Sequence, residues 1–180
     1  MKRFSDFVEP LAQEFGGVSY IGVSEGGAFG LDYQIMNKVL EASASHNPDD
    51  ILAYTDEFPA VSQAYPLDRL ALLCSRLSAG NYKPEDFRNF DLRSKSSLSY
   101  NESVLWFQNN EKLLSPEDRL NVLVIRAPLD PVAPKDTTLL EGTFRNYSLP
   151  GEHFVGIAIG LTALAPVYMN FLLRENNYAL

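Results

Sequence analysis

The chain has 180 residues, 46% apolar and 21% charged, enough for one domain with a true core and too apolar for global disorder. Acidic residues outnumber basic ones 23 to 15, for a net charge of −8, so the broad positive field that nucleic acid or an anionic membrane surface demands is missing. A single cysteine, Cys74, and only two histidines, His46 and His153, exclude an internal disulfide, a cysteine zinc site and a multi-histidine metal centre. No metal and no cofactor are expected, and the cysteine usage fits a reducing compartment such as the cytoplasm.

The opening Met1-Lys2-Arg3 is positive, but Asp6 and Glu9 arrive where a secretory signal would begin its apolar run, so no such signal is expected. The first segment, Ser5 to Phe15, carries Phe7, Val8, Leu11 and Phe15 at helical spacing and ends at Gly16-Gly17. Val18 to Val23 is a short β-rich run suited to burial on both faces of a parallel sheet. After a glycine-rich turn, Leu31, Ile35, Val39 and Leu40 mark the apolar stripe of a helix reaching about Ala44. His46 to Asp50 reads as a loop, and Ile51 to Thr55 as another buried strand. This order, helix and strand in alternation, predicts an α/β fold.

From 57 to 114 the rhythm changes. Leu67, Leu70, Ala71, Cys74 and Leu77 fall on one helical face closed by Ala79-Gly80, and the stretch as a whole reads as a helical lid or insertion within a single domain, 1–180. Ser115-Pro116-Glu117-Asp118 has a serine cap with proline just inside a helix start, and Val122 to Ile125 is a dense apolar run that suits a strand. Thr143 to Leu149 reads as one more strand before the Pro150-Gly151 turn. Phe154 to Leu173 carries no charge and is long enough to cross a bilayer, but Gly156, Gly160, Thr162, Pro166, Tyr168 and Asn170 interrupt it. A soluble core segment is therefore expected in place of a tail anchor, and the alternation of Val155, Ile157, Ile159 and Leu161 with small residues favours a strand there.

Gly22-Val23-Ser24-Glu25-Gly26 satisfies G-x-S-x-G between a predicted strand and a predicted helix. A sharp strand-to-helix turn would lift the Ser24 hydroxyl above the sheet edge and aim the N–H of Glu25, at the positive end of the helix dipole, at a developing oxyanion. The base would be His153, in the loop after a candidate strand, whereas His46 lies in a polar loop and reads as solvated. The orienting carboxylate should end a strand, and two residues qualify: Asp56, after Ile51 to Thr55, and Asp130, after Val122 to Ile125.

Together these residues resemble the later part of an α/β-hydrolase, in particular the thioesterase domains that end polyketide and nonribosomal-peptide assembly lines. The likeness is carried by Tyr20 to Gly27 as strand and serine elbow, Lys38 to Ala42 followed by Ile51 to Asp56 as helix and acid-bearing strand, Asn121 to Ala127 as a late strand, and Pro150-Gly151-Glu152-His153-Phe154 as the histidine loop. In those thioesterases the acid follows the strand after the elbow, which favours Asp56; in most other α/β-hydrolases it follows a later strand, which favours Asp130. The family would put a helix in the stretch after His153, which in this sequence could begin only near Pro166. Its strands upstream of the elbow, which supply a second oxyanion donor and one sheet edge, have no counterpart before Val18, so the expected sheet is a reduced parallel one.

The resemblance implies a serine hydrolase or acyltransferase in which Ser24 attacks an acyl thioester, delivered on the phosphopantetheine arm of an acyl carrier protein, with Ser24, His153 and Asp56 as catalytic triad. The competing reading is a non-catalytic acidic inhibitor or immunity-type protein that binds a partner chain. In either case the open sheet edge of a reduced sheet would tend to pair with another chain, including a second copy of itself.

Overall fold

The computed structural model describes residues 2–45, 65–77, 110–133, 142–143 and 145–173. In chain order these form α1 (Lys2–Phe15), β1 (Ser19–Val23), α2 (Glu25–Ser45), β2 (Arg69–Leu73), a single 3-10 turn (Glu111–Leu113), α3 (Pro116–Leu120), β3 (Val122–Arg126), β4 (Arg145–Ser148), α4 (His153–Thr162) and α5 (Ala165–Leu172). The strands make a parallel sheet in the order β1-β2-β3-β4, so the class is α/β. Parallel neighbours cannot be joined by a tight hairpin, and every strand of this sheet therefore points the same way, with its carboxyl end at one common edge.

The two central strands explain where the core lies. Every residue of β2 is buried, as are Val122 to Ile125 of β3. Because side chains alternate across a strand, Leu70, Leu72, Val122 and Val124 pack on one face against Val8 of α1 and Leu31 and Ile35 of α2. Ala71, Leu73, Leu123 and Ile125 pack on the other against Tyr168 and Phe171 of α5. The expected elements from Ser5 to Val23, the long helix after the elbow, the strand at Val122 and the strand before Pro150 are all present. The helix start at Ser115 is a full capping box: its hydroxyl accepts from the Asp118 N–H at 3.1 Å, and the Asp118 carboxylate accepts the Ser115 N–H at 2.9 Å.

Two expectations are corrected. The run Leu67, Leu70, Ala71, Cys74 and Leu77 is not a helical face; Arg69–Leu73 is β2, in the middle of the sheet. Burial on both faces makes the apolar run continuous and removes the period-two signal by which a strand is told from a helix. The stretch 57–114 is accordingly not a pure insertion, and most of what remains of it lies outside the described residues, as does the strand expected at Ile51 to Thr55.

The second correction is at 154–173, where the alternation favours a strand but two helices, α4 and α5, stand instead. Gly156 and Gly160, four apart and both buried, are the small residues that look like a strand's alternation. They form the helix face that lies against the sheet, since a Cβ on Gly160 would stand 3.2 Å from Leu73 Cδ2. The axis bends by 63° between α4 and α5. Among the described residues no single helix is long and apolar enough to cross a membrane, although the bent pair taken together meets that test of length and composition. The end of α5 is tied down by Arg69, whose guanidinium donates to the Phe171 carbonyl at 2.7 Å and lies 5.7 Å from the centre of the Phe171 ring.

Candidate active site

The carboxyl edge of the sheet gathers the chemistry. At the end of β1 the chain turns directly into α2 through Ser24, whose φ of +53° is left-handed and rare for a residue with a side chain. The turn is held on both sides: the Ser24 N–H donates to the Leu73 carbonyl at 2.9 Å, the Gly27 N–H returns to the Ser24 carbonyl at 3.1 Å, and the Tyr20 hydroxyl donates to the Gly26 carbonyl at 3.0 Å. Glycines make it tight enough. A Cβ on Gly22 would stand 2.4 Å from Gly27 Cα, and one on Gly27 would stand 1.9 Å from Ser75 Oγ, so strand, helix start and the exit of β2 meet at distances only glycine allows.

Glu25 opens α2, and its side chain is exposed. Its N–H belongs to the first turn, where the helix itself supplies no acceptor and the dipole is positive. The sequence reading expects that N–H to serve as oxyanion donor, and the structure puts it at the helix start directly after Ser24.

His153 is the first residue of α4, with Glu152 at the cap position. It is therefore fixed by a helix start, not carried in a loop, and only 6% of it is exposed. Its Nε2 lies 3.0 Å from Ser24 Oγ, and its Nδ1 lies 2.5 Å from Asp130 Oδ2. Asp130 follows β3 through a turn closed by its own N–H on the Ala127 carbonyl at 3.0 Å. Its Oδ1 accepts the N–H groups of Val132 at 2.7 Å and Ala133 at 2.9 Å, leaving Oδ2 for the imidazole. In the tautomer with its hydrogen on Nδ1, the imidazole donates to Asp130 and turns the Nε2 lone pair to the serine hydroxyl.

Of the two acid candidates, the one at the imidazole is thus Asp130; Asp56 and His46 lie outside the described residues. Among the described residues the strand paired with β1 is β2, which runs out into Cys74-Ser75-Arg76 with no carboxylate. The sequence pattern puts Cys74 on a helical face and gives it no part in the site. It is buried, has φ of +49°, and its thiol is pushed up to about 11 by burial and then by the negative charge of Asp130. It stays protonated and uncharged beside the carboxylate at neutral pH.

Such an arrangement can remove a proton from Ser24 as it attacks, hold the resulting imidazolium against Asp130, and meet an oxyanion at the start of α2. No family model matches this chain, and no curated protein and no solved structure matches it. Among the described residues there is no group of three or more histidine, cysteine, aspartate or glutamate side chains placed to hold a metal ion.

Proposed function

We propose that this protein is a serine hydrolase or acyltransferase of α/β-hydrolase type, with Ser24 as nucleophile, His153 as general base and acid, and Asp130 as the carboxylate that orients it. One observation carries the reading: a serine in a left-handed strand-to-helix turn lies 3.0 Å from an imidazole nitrogen whose other nitrogen is on a buried carboxylate. An acid placed after the later strand follows the pattern of most α/β-hydrolases more than that of the assembly-line thioesterases. The chemical step is therefore argued from the triad, and an acyl thioester on a carrier-protein arm is the substrate class implied by the sequence likeness of the elbow and the histidine loop.

In the first half-reaction Ser24 Oγ bonds to the acyl carbon while its proton passes to His153 Nε2. The carbonyl electron pair moves onto oxygen, which the Glu25 N–H meets. Collapse breaks the carbon–sulfur bond, and the leaving thiolate takes the proton back from Nε2, leaving acyl-Ser24 and free thiol. Water, or a nucleophile within the acyl chain, repeats the sequence with His153 as base, releasing acid or ring and restoring the serine.

A fluorophosphonate probe tests this, since it phosphonylates only an activated serine. Wild-type protein should be labelled at Ser24, and Ser24→Ala should not be. A wild type that takes no label, or equal labelling of the two, would overturn the reading.

A further inference from the structure

Where β3 leaves the sheet, α4 comes closer to it than ordinary packing permits. A Cβ on Gly156 would stand 2.6 Å from Ala127 Cβ and 3.1 Å from Cys74 Sγ, where carbon atoms in contact normally keep about 3.5–4.0 Å. The residues on the far side of this contact belong to the sheet edge. The Cys74 N–H donates to the Ile125 carbonyl at 2.7 Å, and the Ala127 carbonyl takes the Asp130 N–H at 3.0 Å. An alanine side chain has no rotamer by which to yield. The element able to move is α4, and Gly156 is in its first turn, bonded through its N–H to the Glu152 carbonyl at 2.7 Å.

His153 lies three residues before Gly156, and Asp130 three residues after Ala127. We propose that Gly156 is a positioning residue: its bare Cα, seated on Ala127 and Cys74, sets the spacing between the helix that carries His153 and the turn that carries Asp130, and so sets the imidazole–carboxylate bond. This rests on the hydrolase reading for its catalytic meaning, but the geometry it concerns can be observed without any substrate. A methyl group at 156 demands about 1 Å of separation to reach normal contact. The bond from Nδ1 to Oδ2, 2.5 Å long, then lengthens toward the limit of hydrogen bonding. Misplacement of this size costs on the order of 10²-fold in rate.

The experiment compares wild type, Gly156→Ala, and the double variant Gly156→Ala/Ala127→Gly, which takes away the atom on the other side of the contact. Folding is checked by circular dichroism. The readouts are the far-downfield proton resonance of a strongly hydrogen-bonded imidazole N–H, assigned by its absence in His153→Gln, and the rate of fluorophosphonate labelling. The expected result is a folded Gly156→Ala that loses the resonance and is labelled about 10²-fold more slowly, with both properties regained in the double variant. A merely structural role would lower stability without that selective recovery of the resonance.

A folded Gly156→Ala with wild-type resonance and labelling overturns the proposal, as does a folded double variant that regains neither. Should Gly156→Ala not fold, the double variant decides: folded with the resonance, it supports the proposal; unfolded, or folded without the resonance, it overturns it. A wild type that shows the resonance but takes no label overturns the hydrolase reading alone, and the spacing role is then judged on the resonance.

Discussion

Ser24 and Cys74 are structural twins on neighbouring strands. Each directly follows the last residue of its strand, each has a left-handed φ (+53° and +49°), and each donates its N–H to a carbonyl of the next strand over, Leu73 for the serine and Ile125 for the cysteine. The fold thus builds the same bend twice. Only the first bend opens a helix and places its side chain at the imidazole.

Left-handed backbone at a residue with a Cβ costs of the order of 1–3 kcal/mol. Glycine at the same place removes that cost, whereas alanine keeps it. Ser24→Gly should therefore be more stable than Ser24→Ala by about 1 kcal/mol, measured by urea unfolding, while both lose fluorophosphonate labelling. Equal stability of the two variants would show that the turn is not strained in solution.

Asp130 holds the imidazole with its proton on Nδ1. Asparagine fits the same space but presents a different pattern of donors and acceptors, which favours the wrong tautomer. Asp130→Asn should lower turnover of an activated ester by about 10⁴-fold with little change in the urea midpoint. Asp56→Asn should stay within about two-fold of wild type, because the imidazole has one Nδ1 and Asp130 already occupies it. A larger loss from the Asp56 variant than from the Asp130 variant would assign the acid the other way.

Asp118 joins two devices, the capping box with Ser115 and an ion pair with Lys38 at 3.0 Å. Burial alone would raise its carboxyl, but hydrogen bonds from Ser115 and Lys38 outweigh that and hold it below the ordinary 3.8. The stability it contributes is therefore fully present above pH 3.8 and is lost as pH falls through its lower folded value. Asp118→Ala should cost about 1–2 kcal/mol at pH 7 by urea unfolding. The gap between variant and wild type should narrow when the same measurement is made in strong acid; a gap independent of pH would exclude the carboxylate's charge as its source.

How much of this was readable in the residues depended on whether local rules and tertiary packing agreed. The strand, elbow and helix from Ser19 to Ser45 follow from β-rich residues, glycine turn chemistry and a helical stripe that all give the same answer. The box at Ser115 and the strand after it were equally legible. At β2 the rules failed, because complete burial leaves Leu70 to Leu73 without a polar face to mark its period. At α4 they failed because Gly156 and Gly160, which weaken a helix by propensity, are required by its approach to the sheet. The choice between Asp56 and Asp130 could not be made from local residue patterns, because both aspartates follow an apolar strand-like run and only the tertiary fold shows which one meets the imidazole. Asp56 is favoured by likeness to the assembly-line thioesterases and lies outside the described residues, whereas Asp130 is seen at the imidazole.

The triad is divided by the long connection between β2 and β3. Ser24 lies before it, in the left-handed bend, while Asp130 and His153 lie after it, on segments joined to the first part by the β2–β3 pairing, the Arg69–Phe171 bond and the Lys38–Asp118 ion pair. On the hydrolase reading proposed above, the nucleophile and its base and acid therefore come from different parts of the chain and meet only when both are folded onto one another. Reactivity of one hydroxyl is thereby a direct gauge of whether the two halves of the sheet are docked.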